Sequence, residues 1–287
     1  MKKLLLPFIA FLIFGIMSSC SKDGLDKDTK KIEFIRYEFG SYLQWFWDNG
    51  LVNRIEYNSN YSNSREICKY SYDSQEHYLT ANFTYDGFRF EYEYSSGNIS
   101  QIDVYLEDNF VGKYIFSYNN KKISNIKLIS IDSKKAALPF PKSFNKILKS
   151  QKDDFVVYDI SYKWDRNNVK EVNIKCFDDP DELDYIAIIN YEYDQGHNPF
   201  YCDWGFPLTE DGFIDGLYLP FYGMPFNKNN CIKMTIETTE FYYEEDETSS
   251  NIITMEYSYD EDLYPTMVAV FYDNSLEEAL RFNYLEE

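Results

Sequence analysis

The side chains with which this 287-residue chain could do chemistry are two histidines, five cysteines and 48 acidic residues. A cysteine nucleophile needs a base beside it, and His77 and His197 are the histidines available. His197 shares a connection with Cys202, a proximity that the loop's composition explains without catalysis. The chain holds no G-x-S-x-G elbow, no H-E-x-x-H pair, no phosphate-binding glycine loop and no dinucleotide fingerprint. Its acids gather in Asp178-Asp179-Pro180-Asp181-Glu182 with Asp184, and in Glu244-Glu245-Asp246-Glu247. Neither run has the alternating ligands and central glycine of a calcium loop, so both read as solvated hairpin tips. Among so many carboxylates some pair always suits glycoside hydrolysis, and a measured separation across a cleft is what would count. We expect no catalytic residue, no metal ligands and no cofactor. The formal charge of −20 argues against a nucleic-acid partner, which needs a basic face to displace counterions.

The remaining residue with special chemistry is Cys20. Lys2 and Lys3 precede an apolar run from Leu4 to Met17, broken by Pro7 and Gly15. That run falls short of the roughly 20 apolar residues of a spanning helix and has the form of a processing segment. Its end, Ile16-Met17-Ser18-Ser19-Cys20, resembles a bacterial lipobox. The resemblance implies cleavage before Cys20, acylation of its thiol, and membrane attachment through two or more acyl chains, which hold stably where one chain would not. We therefore expect a signal peptide over 1–19 and a lipidated Cys20 followed by a flexible tether over 20–31. Ser21 after the cysteine favours the outer membrane. Asp23, Asp26 and Asp28 resemble the acidic export signal of Bacteroidota surface lipoproteins, which implies the cell surface rather than the periplasmic face. Of the other cysteines, Cys202 and Cys231 are the candidate disulfide, because they flank one long connection.

What must position any site is read from periodicity. Phe88-Arg89-Phe90-Glu91-Tyr92-Glu93-Tyr94 alternates aromatic and charged side chains, and Ile253, Met255, Tyr257 and Tyr259 alternate with polar residues. Period-two alternation predicts an antiparallel sheet with one packed and one wet face. It recurs inside a repeat: aromatic-x-aromatic, a turn residue, an apolar residue five positions on, and another three further. Trp45/Trp47 leads to Val52 and Ile55, Tyr92/Tyr94 to Ile99 and Ile102, Phe116/Tyr118 to Ile123 and Ile126, and Tyr162/Trp164 to Val169 and Val172. Tyr257/Tyr259 leads to Tyr264 and Met267, with partial copies at Tyr70/Tyr72 and Tyr191/Tyr193. Each copy reads as a strand ending in aromatics, a tight turn, and the next strand beginning on an apolar residue.

This pattern resembles the YD repeat of bacterial surface proteins, in the looser form found in uncharacterised Bacteroidota lipoproteins. Asn198-Pro199-Phe200 and Asn229-Asn230 match features that accompany it there. The resemblance supplies architecture and address, not an activity. We expect an all-β fold over 32–287: a long, twisted antiparallel β-meander of repeated hairpins, about a dozen strands curled into an open roll or incomplete barrel. Two subdomains divided near 133–152 are the alternative to an insertion there.

The connection over 195–230 is long, aromatic and punctuated by proline, and such connections are often functional. Tyr201, Trp204, Tyr218 and Tyr222 are the candidate ligand-binding residues, rigid amphipathic rings suited to binding hot spots. They could equally cap an open end of the sheet. The function expected is a non-enzymatic binding or structural role at the end of a lipid anchor. The ligand classes open to it are glycan, peptide or lipid, which leaves a glycan-capturing or glycan-active accessory protein and an acyl-chain carrier as the alternatives.

Overall fold

The computed structural model describes residues 30–38, 40–60, 65–84, 87–130, 155–179, 182–201, 226–241 and 246–285. Sixteen strands follow one another in chain order. The first eight are β1 (Ile32–Tyr37), β2 (Tyr42–Asp48), β3 (Leu51–Asn58), β4 (Arg65–Tyr72), β5 (Tyr78–Phe83), β6 (Phe88–Ser95), β7 (Asn98–Leu106) and β8 (Asn109–Asn119). The second eight are β9 (Lys122–Ser130), β10 (Phe155–Asp165), β11 (Asn168–Asp179), β12 (Glu182–His197), β13 (Asn229–Phe241), β14 (Asp246–Tyr259), β15 (Pro265–Tyr272) and β16 (Ser275–Tyr284). Every strand pairs antiparallel with its chain neighbours, and β9 pairs directly with β10 across the segment 131–154.

The expected open roll is wrong. β1 pairs with β16, Ile35 opposite Phe282 and Tyr37 opposite Leu280, and this closes all sixteen strands into a barrel. The reason is physical: an open meander leaves two edges with unpaired backbone, and closure removes both.

The repeat's interval of three has a structural cause, a β-bulge. Trp47 lies opposite Val52 and Trp45 opposite Ile55, so two residues on one strand span three on the other. Tyr94/Ile99 with Tyr92/Ile102, Tyr118/Ile123 with Phe116/Ile126, and Trp164/Val169 with Tyr162/Val172 repeat it. The bulge turns both apolar residues inward, where a regular strand would put one outside. The intervening turns are two-residue loops with positive φ at both centres, as at Asn49 and Gly50 (50° and 87°) and at Asn120 and Lys121 (50° and 67°), the mirror-image geometry that matches strand twist.

The barrel's two faces differ sharply. Inward residues such as Trp45, Phe90, Tyr114, Leu128, Ile160, Ile189 and Leu280 are buried in one continuous core. The outer wall carries charged side chains along its strands. Lys163 bonds Glu171 at 2.6 Å, Lys233 bonds Glu192 at 2.7 Å, and Arg89 pairs with Glu91. Glu56 is held by Arg54 and Arg65 at 2.7 and 2.6 Å. Burial would lift its pKa, but the two arginines outweigh burial and hold it below the usual carboxylate range.

Candidate functional site

The turns that follow β2, β4, β6, β8, β10 and β14 share one rim with the roots of the long connection, 198–201 and 226–228. At this rim, ladder pairing between each odd strand and the following even strand stops early. The last β7–β8 pair is Gln101 with Ile115, for example, although β7 begins at Asn98. The second aromatic of each repeat fills the gap. Tyr118 Oη donates to the Ile99 carbonyl at 2.7 Å, Tyr72 Oη to Val52, and Tyr193 Oη to Val169. Trp47 and Trp164 do the same with indole N–H, to Ile32 and Ile123, each at 2.7 Å. Tyr284 donates to Pro265, whereas Tyr94 accepts a hydrogen bond from the Tyr78 backbone. Burial raises the pKa of Tyr118, Tyr193 and Tyr284, so these phenols remain protonated donors. Lysines lie over two of the indoles, Lys31 over Trp47 and Lys122 over Trp164.

β14 departs from this rule, and it does so beside the long connection. Tyr259 Oη donates to Asp194 Oδ2 and accepts from Asn230 Nδ2 at 3.4 Å. Asp194 Oδ1 also accepts the Gly196 N–H at 2.8 Å. A side chain at Gly196 would place its Cβ 2.5 Å from the Tyr259 ring. Glycine is therefore required by close approach.

Asparagines bind the two roots together. Asn198 Nδ2 donates to the Asn227 carbonyl at 2.7 Å, and the Asn198 N–H donates to the Lys228 carbonyl at 3.1 Å. The Asn198 side-chain oxygen accepts the Phe200 N–H. Asn227 is fully buried and accepts the Val169 N–H at 2.6 Å. Asn229 exchanges hydrogen bonds with Asn168 and donates to the Gly196 carbonyl. Phe200 packs on Phe282, and Phe226 packs edge-on against Tyr162, so both roots enter the core.

Of the four candidate ligand-binding residues, Tyr201 is described. It is half-buried, and its N–H donates to the Asn198 carbonyl at 3.2 Å. Trp204, Tyr218 and Tyr222 lie outside the described residues, as do Cys20 and Cys202. Cys231 is buried in β13, its Sγ 3.3 Å from the Lys233 carbonyl, and burial pushes its thiol pKa up. Both histidines stack on tyrosines in turn frames: His77 on Tyr94 with Asp73 at its Nδ1, and His197 on Tyr264. Asn198 and the pair Asn229-Asn230 were singled out in the sequence, whereas Asn227 was missed. Its signal was present, an asparagine immediately after the buried Phe226.

No protein-family model matches the chain, and no curated protein matches it in sequence. Among solved structures, it is similar to a porin-like protein from Bacteroides uniformis at 12% identity, covering 90% of this chain and 99% of that one, with a TM-score of 0.46. It is also similar to a chain of the TcdB2–TccC3–Cdc42 complex at 11% identity and a TM-score of 0.25, covering 88% of this chain and 12% of that one. Similarity this low carries no argument about role, and the barrel stands on its own strand pairings.

Proposed function

We propose that this is an outer-membrane lipoprotein whose barrel stands in water at the end of a Cys20 lipid anchor, with a non-enzymatic binding or structural role. The observation that carries this reading is the polarity of the wall. A barrel that crosses a bilayer presents an apolar band outward and a polar interior. This one buries aliphatic and aromatic side chains inside and carries Arg89, Glu91, Lys163, Glu171, Glu192 and Lys233 outside. An outward Lys or Arg at the bilayer midplane costs about 2–4 kcal/mol, so a wall with several is a wall for water. No described helix is long and apolar enough to cross a membrane either. Attachment then falls to the lipobox-like Cys20. Growth with a clickable fatty acid should label the wild-type chain and leave Cys20→Ala unlabelled. Equal labelling of the two ends the lipid-anchor reading.

A further inference from the structure

The rim opposite the loop roots has an open step in its wall. β14 stays paired with β13 as far as Asp246, which faces Phe241, but its pairing with β15 ends at Ile253, which faces Tyr272. Among the described residues, no strand lies along the other edge of 246–251. The last rung fixes which way the free groups point. Ile252 N–H donates to Asp273 Oδ1 at 3.0 Å, and Asp273 N–H donates to the Ile252 carbonyl at 2.9 Å. Ser250, Thr248 and Asp246 share the parity of Ile252, so their N–H and C=O groups face the same open side. Residues 246–250 are exposed. Two exposed apolar side chains, Ile252 at 42% and Leu276 at 54%, flank the step.

We propose that this edge takes an extended cationic peptide as an added strand. Backbone rungs to Ser250, Thr248 and Asp246 would supply the pairing, as in strand addition generally. Successive side chains of an added strand lie on opposite faces, so two adjacent basic residues would meet Asp246 and Glu247, and an apolar residue at the peptide's other end would cover Ile252. Charge selects this occupant over a second copy of the chain, because a second copy brings another formal charge of −20 and, through this edge, no cation to face Asp246 or Glu247. The inference goes beyond the lipoprotein reading and needs only a wall that faces water, so acylation of Cys20 does not bear on it.

The test is fluorescence anisotropy with the labelled peptide Val-Thr-Thr-Thr-Thr-Lys-Lys, which in an antiparallel added strand sets Val opposite Ile252 and the two lysines opposite Glu247 and Asp246, and the full chain held in detergent micelles. Saturable binding is expected. Methylating alternate backbone nitrogens keeps the peptide's charge and removes its donors, and should weaken binding at least about tenfold. Thr248→Pro and Ser250→Pro should do the same from the protein side. Each removes an outward N–H and leaves the β13 ladder its bonds, the position at which an edge strand tolerates proline. Equal affinity for the methylated peptide would reduce the effect to charge and overturn the proposal. So would indifference to both proline variants, absence of saturable binding up to millimolar peptide, or self-association of the chain through this edge.

Discussion

Tyrosine and tryptophan share a property that phenylalanine lacks, a hydrogen-bond donor at the far end of a large apolar ring. At the repeat's first aromatic position the ring is simply core, and Phe116 and Phe282 serve beside Tyr92 and Trp45. At the second position the donor is needed, because the ladder has already splayed and a carbonyl waits across the gap. Trp47, Tyr72, Tyr118, Trp164, Tyr193 and Tyr284 all donate there. Tyr118→Phe keeps the ring and strands the Ile99 carbonyl. It should lower unfolding stability by about 1 kcal/mol, seen as a lower urea midpoint at unchanged slope. An unmoved midpoint would mean that water satisfies the carbonyl and the latch contributes nothing. The exclusion of phenylalanine from these positions was written in the sequence. Its meaning was not, because the splaying that creates the vacant acceptor is a property of the twisted sheet.

Elements were legible wherever their signal was local. The alternation marks strands, and the aromatic-to-apolar spacing marks hairpins and even contains the bulge, since an interval of three on a strand of period two requires one. The roots of the long connection show where local signal ends: Gly196 sits near the end of β12 with nothing nearby to explain it. Its reason is Tyr259, which leaves the latch pattern to reach Asp194 and occupies the space a Cβ would need. Gly196→Ala should therefore displace the Tyr259 ring and destabilise by about 1–3 kcal/mol, the usual cost of overpacking. The double variant Gly196→Ala/Tyr259→Ala separates this from a backbone effect. Relief of the clash should make Tyr259→Ala less damaging in the Gly196→Ala background than in wild type. Strict additivity would show that Tyr259 is not what selects glycine and would leave Asn230 Nδ2, 2.8 Å from the same Cβ position, as the contact that does.

At the scale of the molecule, closure was illegible for a definite reason. Periodicity encodes the partner next in chain, whereas the β1–β16 pairing joins the first and last strands, and no pattern within either one announces it. Which side faces inward follows from the alternation once the barrel is closed, and it makes a testable difference between a barrel that spans a bilayer and one that stands in water. In a spanning barrel the wall itself holds the protein in the bilayer, and removing a lipid changes nothing. Here the wall carries ion pairs along its strands, and transfer of that wall to hydrocarbon would be opposed by every outward charge. On the lipoprotein reading proposed above, attachment should therefore depend wholly on Cys20. In phase separation with a nonionic detergent, the wild-type chain should enter the detergent phase, and Cys20→Ala made without the apolar segment 1–19 the aqueous phase, folded, with its β-sheet circular dichroism intact. Planar bilayers exposed to either form should show no stepwise conductance. If folded Cys20→Ala stays in the detergent phase, apolar surface outside the described residues is holding it, and the polarity of the wall does not decide where the protein resides.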